Sequence, residues 1–389
     1  MATATSSLKP EKLLQPSSGR LTFLDVCRGL AVAGMILVDN PGSDDRAFGW
    51  IKHAEWNGWT PPDFIFPTFV FVVGISMVFS FSARLQRGES RQRIFLHALK
   101  RSAILFAIGL WVNGFPLFDL ATMRWEGVTQ RIAVCYLLAA ILVLWSDRRG
   151  QIAAIIACLV GYWAIMRFVP VPGFGVPGRD IPFLDPYKNI GAWLDRKLFM
   201  GHLYNETRDP EGIVSTIPAI ATTLLGVLAG EWLKTSHTHQ KKAVRMLVFG
   251  VAGLVAGLVL DKAWFPINKN VWSSSFVIFA AGFTLILLSA LYWIVEIRGW
   301  KRWTMPALVF GTNAIAGFVA DSVVYGPMYS LKAHGADGKL VLWQQYAYAH
   351  LYPLIPSAPI ASLVYSIAAV LFCWTLVWLL YRKQIFIKV

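Results

Sequence analysis

Residues 64–83 read FIFPTFVFVVGISMVFSFSA, twenty consecutive residues without a charge. A bilayer core about 30 Å thick is crossed by about 20 apolar residues in helical form. Lipid cannot satisfy an open strand edge, so the segment must be a helix. A membrane β-barrel would show short alternating segments instead. Outward from this stretch the same signal recurs near 21–38, 98–114, 128–146, 151–169, 213–233, 243–261, 271–295, 304–323 and 358–381. The expected fold is all-α, a polytopic integral membrane protein with about ten transmembrane helices.

Composition agrees. Apolar residues make up 56% of the 389 and charged residues 15%, against about 25% charged in a typical soluble domain. The 17 Trp residues suit membrane–water interfaces. A net charge of +14 would point to nucleic acid in a soluble protein. Here the basic residues flank spans, so the expected partner is membrane lipid and not nucleic acid. Cys27, Cys135, Cys158 and Cys373 all fall in apolar runs, so no exported loop has a thiol to pair.

Orientation follows from Lys and Arg. With the N-terminus inside, 21 of the 36 fall on the cytoplasmic side and 13 outside, while Arg28 and Arg131 lie in spans. This favours both termini in the cytoplasm and an even number of spans. The expected organisation is a cytoplasmic tail over 1–19, a transmembrane domain over 20–384 and a cytoplasmic tail over 385–389. No signal peptide is evident, and the first apolar run reads as a retained span. The inner loops are short and basic, as in a bacterial inner (cytoplasmic) membrane protein. The outer loops 39–63, 170–212 and 324–357 are long, and loops beyond about 12–15 residues are usually functional. The functional surface should therefore face the periplasm. The chain shows no clear internal repeat, which weighs against a repeat-built transporter.

The richest chemistry lies in Asp39–Asp63, DNPGSDDRAFGWIKHAEWNGWTPPD. His53 is the natural general base, since an unperturbed imidazole pKa of about 6.5 suits proton transfer near neutrality. Asp39, Asp44, Asp45, Glu55 and Asp63 are candidates to orient it, and Trp50, Trp56 and Trp59 to stack on a sugar ring. The plainer alternative is an interfacial Trp belt with a solvated His. Asp25 and Arg28 share a helix face three residues apart. Charges within spans are costly and mostly functional, so Arg28 is either an anion ligand or half of a buried ion pair. Gln130 and Arg131 open the fourth span, where Arg131 is a phosphate, sugar or carboxylate ligand or a snorkelling cation. Glu211, in Asp209-Pro210-Glu211-Gly212, suits a helix N-terminus or a sugar contact. Asn268, Lys269 and Asn270 form an unusually polar lead into the eighth span, as ligand contacts or as a capping turn. His237-x-His239 lies in a Lys-rich inner loop and reads as solvated; no metal site is expected.

Beyond spacing, several stretches resemble the heparan-α-glucosaminide N-acetyltransferase family and its bacterial glucosamine N-acetyltransferase relatives. They are RLTFLDVCRGLAVAGMILVDN from Arg20, KHAEWNGWTPPDFIFPTFVFVVGISM from Lys52, and EGVTQRIAVCYLL from Glu126. DPEGIVSTIPAIATTLLGVLAG from Asp209, FPINKNVWSSSF from Phe265 and VFGTNAIAGF from Val309 complete the set. The resemblance implies a transmembrane acetyltransferase. It would take an acetyl group from cytosolic acetyl-CoA, a co-substrate rather than a bound cofactor, to the amine of a glucosamine on the far side. The family's active-site histidine matches His53, and an upstream asparagine falls at Asp39 or Asn40. Arg20, Arg28, Arg101 and Arg131 are then the expected donor ligands. Trp56, Asn57, Asp63, Glu211, Asn268 and Lys269 are the expected acceptor contacts. The chain has no counterpart of the long N-terminal luminal portion of the animal enzymes, so the expected acceptor is a free or oligomeric amino sugar. A homodimer is compatible with this reading. The rivals are an amino-sugar transporter and a membrane O-acetyltransferase acting on another glycan.

Overall fold

The structure is a computed structural model that describes residues 21–335 and 339–387. Arg20 and the tail before it lie outside the described residues. Helices dominate: α1 Thr22–Asp39, α2 Ile65–Gln86, α3 Arg91–Gly114, α4 Val128–Trp145, α5 Arg148–Phe168, α6 Ile190–Phe199, α7 Ile213–Lys234 and α8 His239–Ala263. They continue with α9 Ser274–Tyr292, α10 Met305–Thr312, α11 Ala314–Ser330, α12 Trp343–Leu351 and α13 Ala358–Arg382. A two-stranded antiparallel hairpin pairs Lys332–His334 with Leu340–Leu342. The protein is thus an all-α polytopic membrane protein. The four cysteines sit in α1, α4, α5 and α13, all unpaired.

Among the described residues, eight helices are long and apolar enough to cross a membrane, or nine if one bent pair counts as a single span. Two differences from the expected ten have physical causes. The first run, α1, is 18 residues long but carries Asp25, Arg28 and Asp39. Its charges face a cavity inside the bundle, so it need not be uniformly apolar. The run expected as one span over 304–323 is instead broken at Asn313, where α10 and α11 meet at 72°. The Asn313 side chain fastens the break to the C-terminal segment of the chain. Its Nδ2 donates to the Ile385 carbonyl at 3.0 Å, and its Oδ1 accepts from Ile387 N at 2.9 Å. At the break itself, Asn313 N donates to the Phe310 carbonyl at 3.0 Å and Gly317 N to the Asn313 carbonyl at 2.9 Å, as backbone surrounded by lipid requires.

Short polar residues set several helix starts. Ser90 caps α3, Asp147 caps α5, Thr238 caps α8 and Ser273 caps α9, each accepting a backbone N–H of the first turn. Small residues set the helix contacts. At the crossing of α1 and α10, a Cβ on Gly29 would lie 1.8 Å from the Ala307 carbonyl oxygen, and one on Gly311 1.8 Å from that of Asp25. Only glycine permits this approach, and it fixes the charged face of α1 relative to its neighbours. The apolar core falls in separate clusters, one among α1, α2, α9 and α10 and another among α2, α4, α5, α7 and α9.

The three long loops carry structure of their own. The segment 170–212 contains α6, and 324–357 contains the end of α11, the hairpin and α12. The segment 39–63 contains 3-10 turns at Gly49–Ile51 and Pro61–Phe64.

Candidate active site

The sequence Thr60-Pro61-Pro62-Asp63 folds as a capping box. Thr60 N donates to Asp63 Oδ2 at 2.8 Å, and Thr60 Oγ1 donates to the same oxygen at 3.0 Å. The Ala54 amide adds a third donor at 3.3 Å. Asp63 is fully buried, so its carboxylate is held in one orientation. The other oxygen, Oδ1, lies 2.7 Å from His53 Nδ1. A carboxylate accepts only, so the ring presents Nδ1–H to Asp63 and Nε2 is left as the basic nitrogen. The imidazole itself is partly exposed, which a proton acceptor for an incoming substrate requires.

Lys269 completes the cluster. Its Nζ sits 3.0 Å from His53 Nδ1, 3.2 Å from Nε2 and 3.7 Å from Asp63 Oδ1. Burial pushes the Lys269 ammonium below its ordinary range, and the carboxylates of Asp63, Glu211 and Asp39 pull it back upward. The loop that carries Lys269 is pinned to the His53 loop at three points. Gly58 N donates to the Ile267 carbonyl at 2.8 Å, Asn268 Nδ2 donates to Asn57 Oδ1 at 3.0 Å, and Asn270 Nδ2 donates to the Glu55 carbonyl at 3.4 Å.

His53, Lys269, Asp39 and Glu211 border one end of a cavity of about 820 Å³. Its wall follows α1 from Leu21 through Asp25, Arg28 and Val32 to Asp39, and at the far end meets His97 and Arg101 of α3. At 1.5 Å per residue that path is roughly 27 Å, the thickness of a bilayer core. Arg28 Nη1 donates to Asp25 Oδ1 at 2.7 Å and Nη2 donates to Ser76 Oγ, which holds the guanidinium on the cavity wall. Arg101 lies over the Tyr136 ring at 4.9 Å, and its Nε is buried without a hydrogen-bond partner.

Other expected site residues take different places. Asn40 is buried and donates to the Ile36 carbonyl at 2.8 Å and to Asp321 Oδ1 at 2.7 Å, behind the cavity wall. Trp56 is not free to stack on a sugar. Its Nε1 donates to the Leu184 carbonyl at 2.8 Å, and Arg208 covers its ring at 4.9 Å. Asn57 and Asn268 bind each other and fasten two loops. Arg131 is buried, with Nη2 donating to the Pro210 carbonyl at 2.9 Å and to Ser215 Oγ, and it lies off the large cavity.

Glu211 shares the Arg124 guanidinium with Asp209. Burial alone would raise Asp209, but Arg124 more than offsets it and holds the carboxyl below its ordinary range. Burial pushes Glu126 up to about 9 and Asp195 up to about 7. Asp321, Arg124 and Glu126 were not singled out from sequence. A carboxylate in the apolar run 304–323 was the signal for Asp321.

An all-α membrane protein with a His–Asp–Lys cluster at the mouth of a bilayer-deep cavity defines the class. The comparisons refine it. Residues 20–256 match the sequence profile of the heparan-alpha-glucosaminide N-acetyltransferase catalytic family, and the chain belongs to that family. It is 31% identical over 362 residues to heparan-alpha-glucosaminide N-acetyltransferase of Mus musculus, covering 79% of this chain and 54% of that protein. It is 30% identical over 371 residues to the Homo sapiens protein of the same name, covering 80% of this chain and 55% of that protein. The chain spans about half the length of the curated relatives it matches.

Proposed function

We propose that this protein is a transmembrane N-acetyltransferase of a bacterial inner membrane. It moves an acetyl group from cytosolic acetyl-CoA to the amine of glucosamine, or of a glucosamine-terminated sugar, on the periplasmic side. The observation that carries the reading is the cavity that joins Arg28 and Arg101 at one end to His53 and Lys269 at the other. A charged nucleotide stays at the basic mouth, and the acyl arm reaches through to the far side.

In this mechanism the neutral sugar amine attacks the thioester carbonyl. His53 Nε2 takes the proton released by the amine. The Lys269 ammonium faces the oxyanion of the tetrahedral intermediate. The C–S bond then breaks, and the thiolate takes the proton from the imidazolium and leaves as CoA thiol. Asp63 keeps the ring in the tautomer that the first step needs. An acetyl-histidine intermediate, with ping-pong kinetics, is the other route the same residues allow.

The deciding experiment is acetyl transfer by purified protein, with and without glucosamine. Acetylglucosamine formed with stoichiometric CoA release is the expected result. Glucosamine movement across a vesicle without CoA release would make the protein a transporter, and acetylation of a hydroxyl would make it an O-acetyltransferase.

Two predictions arise here. Introduced cysteines in 40–60 and 180–200 should be blocked by an impermeant thiol reagent added outside. Labelling from the cytoplasm alone would reverse the topology and remove the far-side acceptor. Arg28→Ala should weaken acetyl-CoA binding by about 1.5–3 kcal/mol, the worth of one hydrogen bond to a charged group. Calorimetry on the detergent-purified protein reads this directly. Unchanged donor affinity in a correctly inserted variant would leave Arg28 with a purely structural role.

A further inference from the structure

A second cavity, of about 570 Å³, lies between α3, α4 and α7, and Glu211 borders both it and the large one. Its composition changes with depth. Glu126, Gln130 and Arg131 stand at the outer end of α4, near Ile213 at the start of α7. Leu138 and Ile220 lie seven residues further along these two helices, roughly 10 Å deeper. Phe106 lies one turn deeper than Leu110 on the neighbouring α3. Phe106 and Leu138 are 39% and 38% exposed, so the groove opens sideways to the surrounding lipid.

The polar end is incompletely satisfied. Arg131 is 2% exposed, yet its Nε and Nη1 have no hydrogen-bond partner, and neither has Oε2 of Glu126, which is 8% exposed. Buried donors left unpaired are costly, and ordinary acyl chains cannot satisfy them. A groove with an oxygen-seeking head, an apolar shaft and the polarity of an outer-leaflet lipid fits an amphiphile lying parallel to the leaflet.

We infer that this groove is a lateral subsite for a lipid-linked amino sugar, its apolar chain against Leu138 and Ile220, its oxygen-rich linkage at Arg131, and its sugar amine turned past Glu211 toward His53. The inference rests on the acetyltransferase reading for the fate of the amine, but chain binding does not depend on it. The acceptor then arrives from the membrane plane, and a reaction that attaches glucosamine to a lipid carrier must supply it.

The probe is dodecyl β-glucosaminide, with a terminal diazirine for photolabelling in nanodiscs. Labelling should concentrate on peptides around Leu138 and Ile220, and unlabelled dodecyl glucosaminide should compete. Leu138→Trp, which fills the shaft from a lipid-exposed position, should cut it at least about fivefold. In transfer assays the KM for the dodecyl glucosaminide should lie at least about tenfold below that for glucosamine, because the bilayer concentrates its chain and the groove seats it beside the site. Leu138→Trp should close that gap and leave glucosamine turnover unchanged. Labelling spread over the lipid-facing helices and indifferent to competitor and variant would overturn the subsite. So would equal KM values for the two acceptors. Focused, competed labelling with no acetyl transfer to either sugar would support the groove and sink the acetyltransferase reading instead.

Discussion

His53→Ala should lower acetyl transfer to glucosamine by at least about a hundredfold, since a positioned general base contributes about 10²–10⁴-fold. A thioester is already activated, so the protein's main tasks are to hold the amine in place and to accept its proton. His53 belongs to none of the apolar clusters of the bundle. Insertion and acetyl-CoA binding should therefore survive the change. His53→Asn keeps size and polarity without basicity and should be nearly as inactive. The pH dependence of kcat/KM should show an ionisation in the wild type that both variants lack. Either variant retaining more than about a tenth of wild-type turnover at saturating substrates would assign the proton to another group. Asp39, on the same cavity, would be the next candidate.

Asp63→Asn should be comparably damaging by a different physical route. The carboxylate accepts from His53, Ala54 and both polar groups of Thr60, all in a fully buried position. An asparagine keeps the shape but turns one acceptor into a donor. If its NH₂ faces Thr60, buried donors oppose one another, at a cost of about 1–3 kcal/mol of stability. If it faces His53, Nδ1 must accept and the proton moves to Nε2, which destroys the base. Turnover should fall about 10²–10⁴-fold, carried by kcat rather than by the KM for acetyl-CoA. Steady-state kinetics alongside thermal unfolding separates the two routes. A well-folded Asp63→Asn protein within tenfold of wild-type kcat would mean that the base does not depend on the Asp63 carboxylate for its tautomer.

How much of the site was legible depends on how local its determinants are. His53 stood out because a lone imidazole among carboxylates in a short loop between apolar runs is chemically conspicuous. The bond from Thr60 to Asp63 is also local, a capping box three residues apart. Lys269 was visible only as one cation in a polar lead into a helix. That it touches both ring nitrogens of a histidine 216 residues away is a property of the packed loops. Asn40 shows the converse. The resemblance to the family's upstream asparagine implied a catalytic role, but Asn40 caps the end of α1 outside the helix and its amide turns to the Ile36 carbonyl and Asp321. Trp56, Asn57 and Asn268 spend their polar groups on holding loops together.

By itself the sequence determined that this chain lies in a membrane as helices, and nearly where most of the long ones begin and end. Those are consequences of length, apolarity and unsatisfied backbone groups, which act residue by residue. Family membership is likewise legible, in stretches from Arg20 to Phe318. Only the tertiary structure decided what the charges of α1 are for. Asp25 and Arg28 are tolerable within a span because Gly29 and Gly311 let α10 close against one side of α1 while the opposite side faces the cavity. The break at Asn313 was equally hidden, since the backbone that its side chain binds belongs to Ile385 and Ile387, over seventy residues away. Hydropathy measures each segment against lipid. A cavity within the bundle depends on which faces the helices turn toward one another, and that is set by close packing between distant residues.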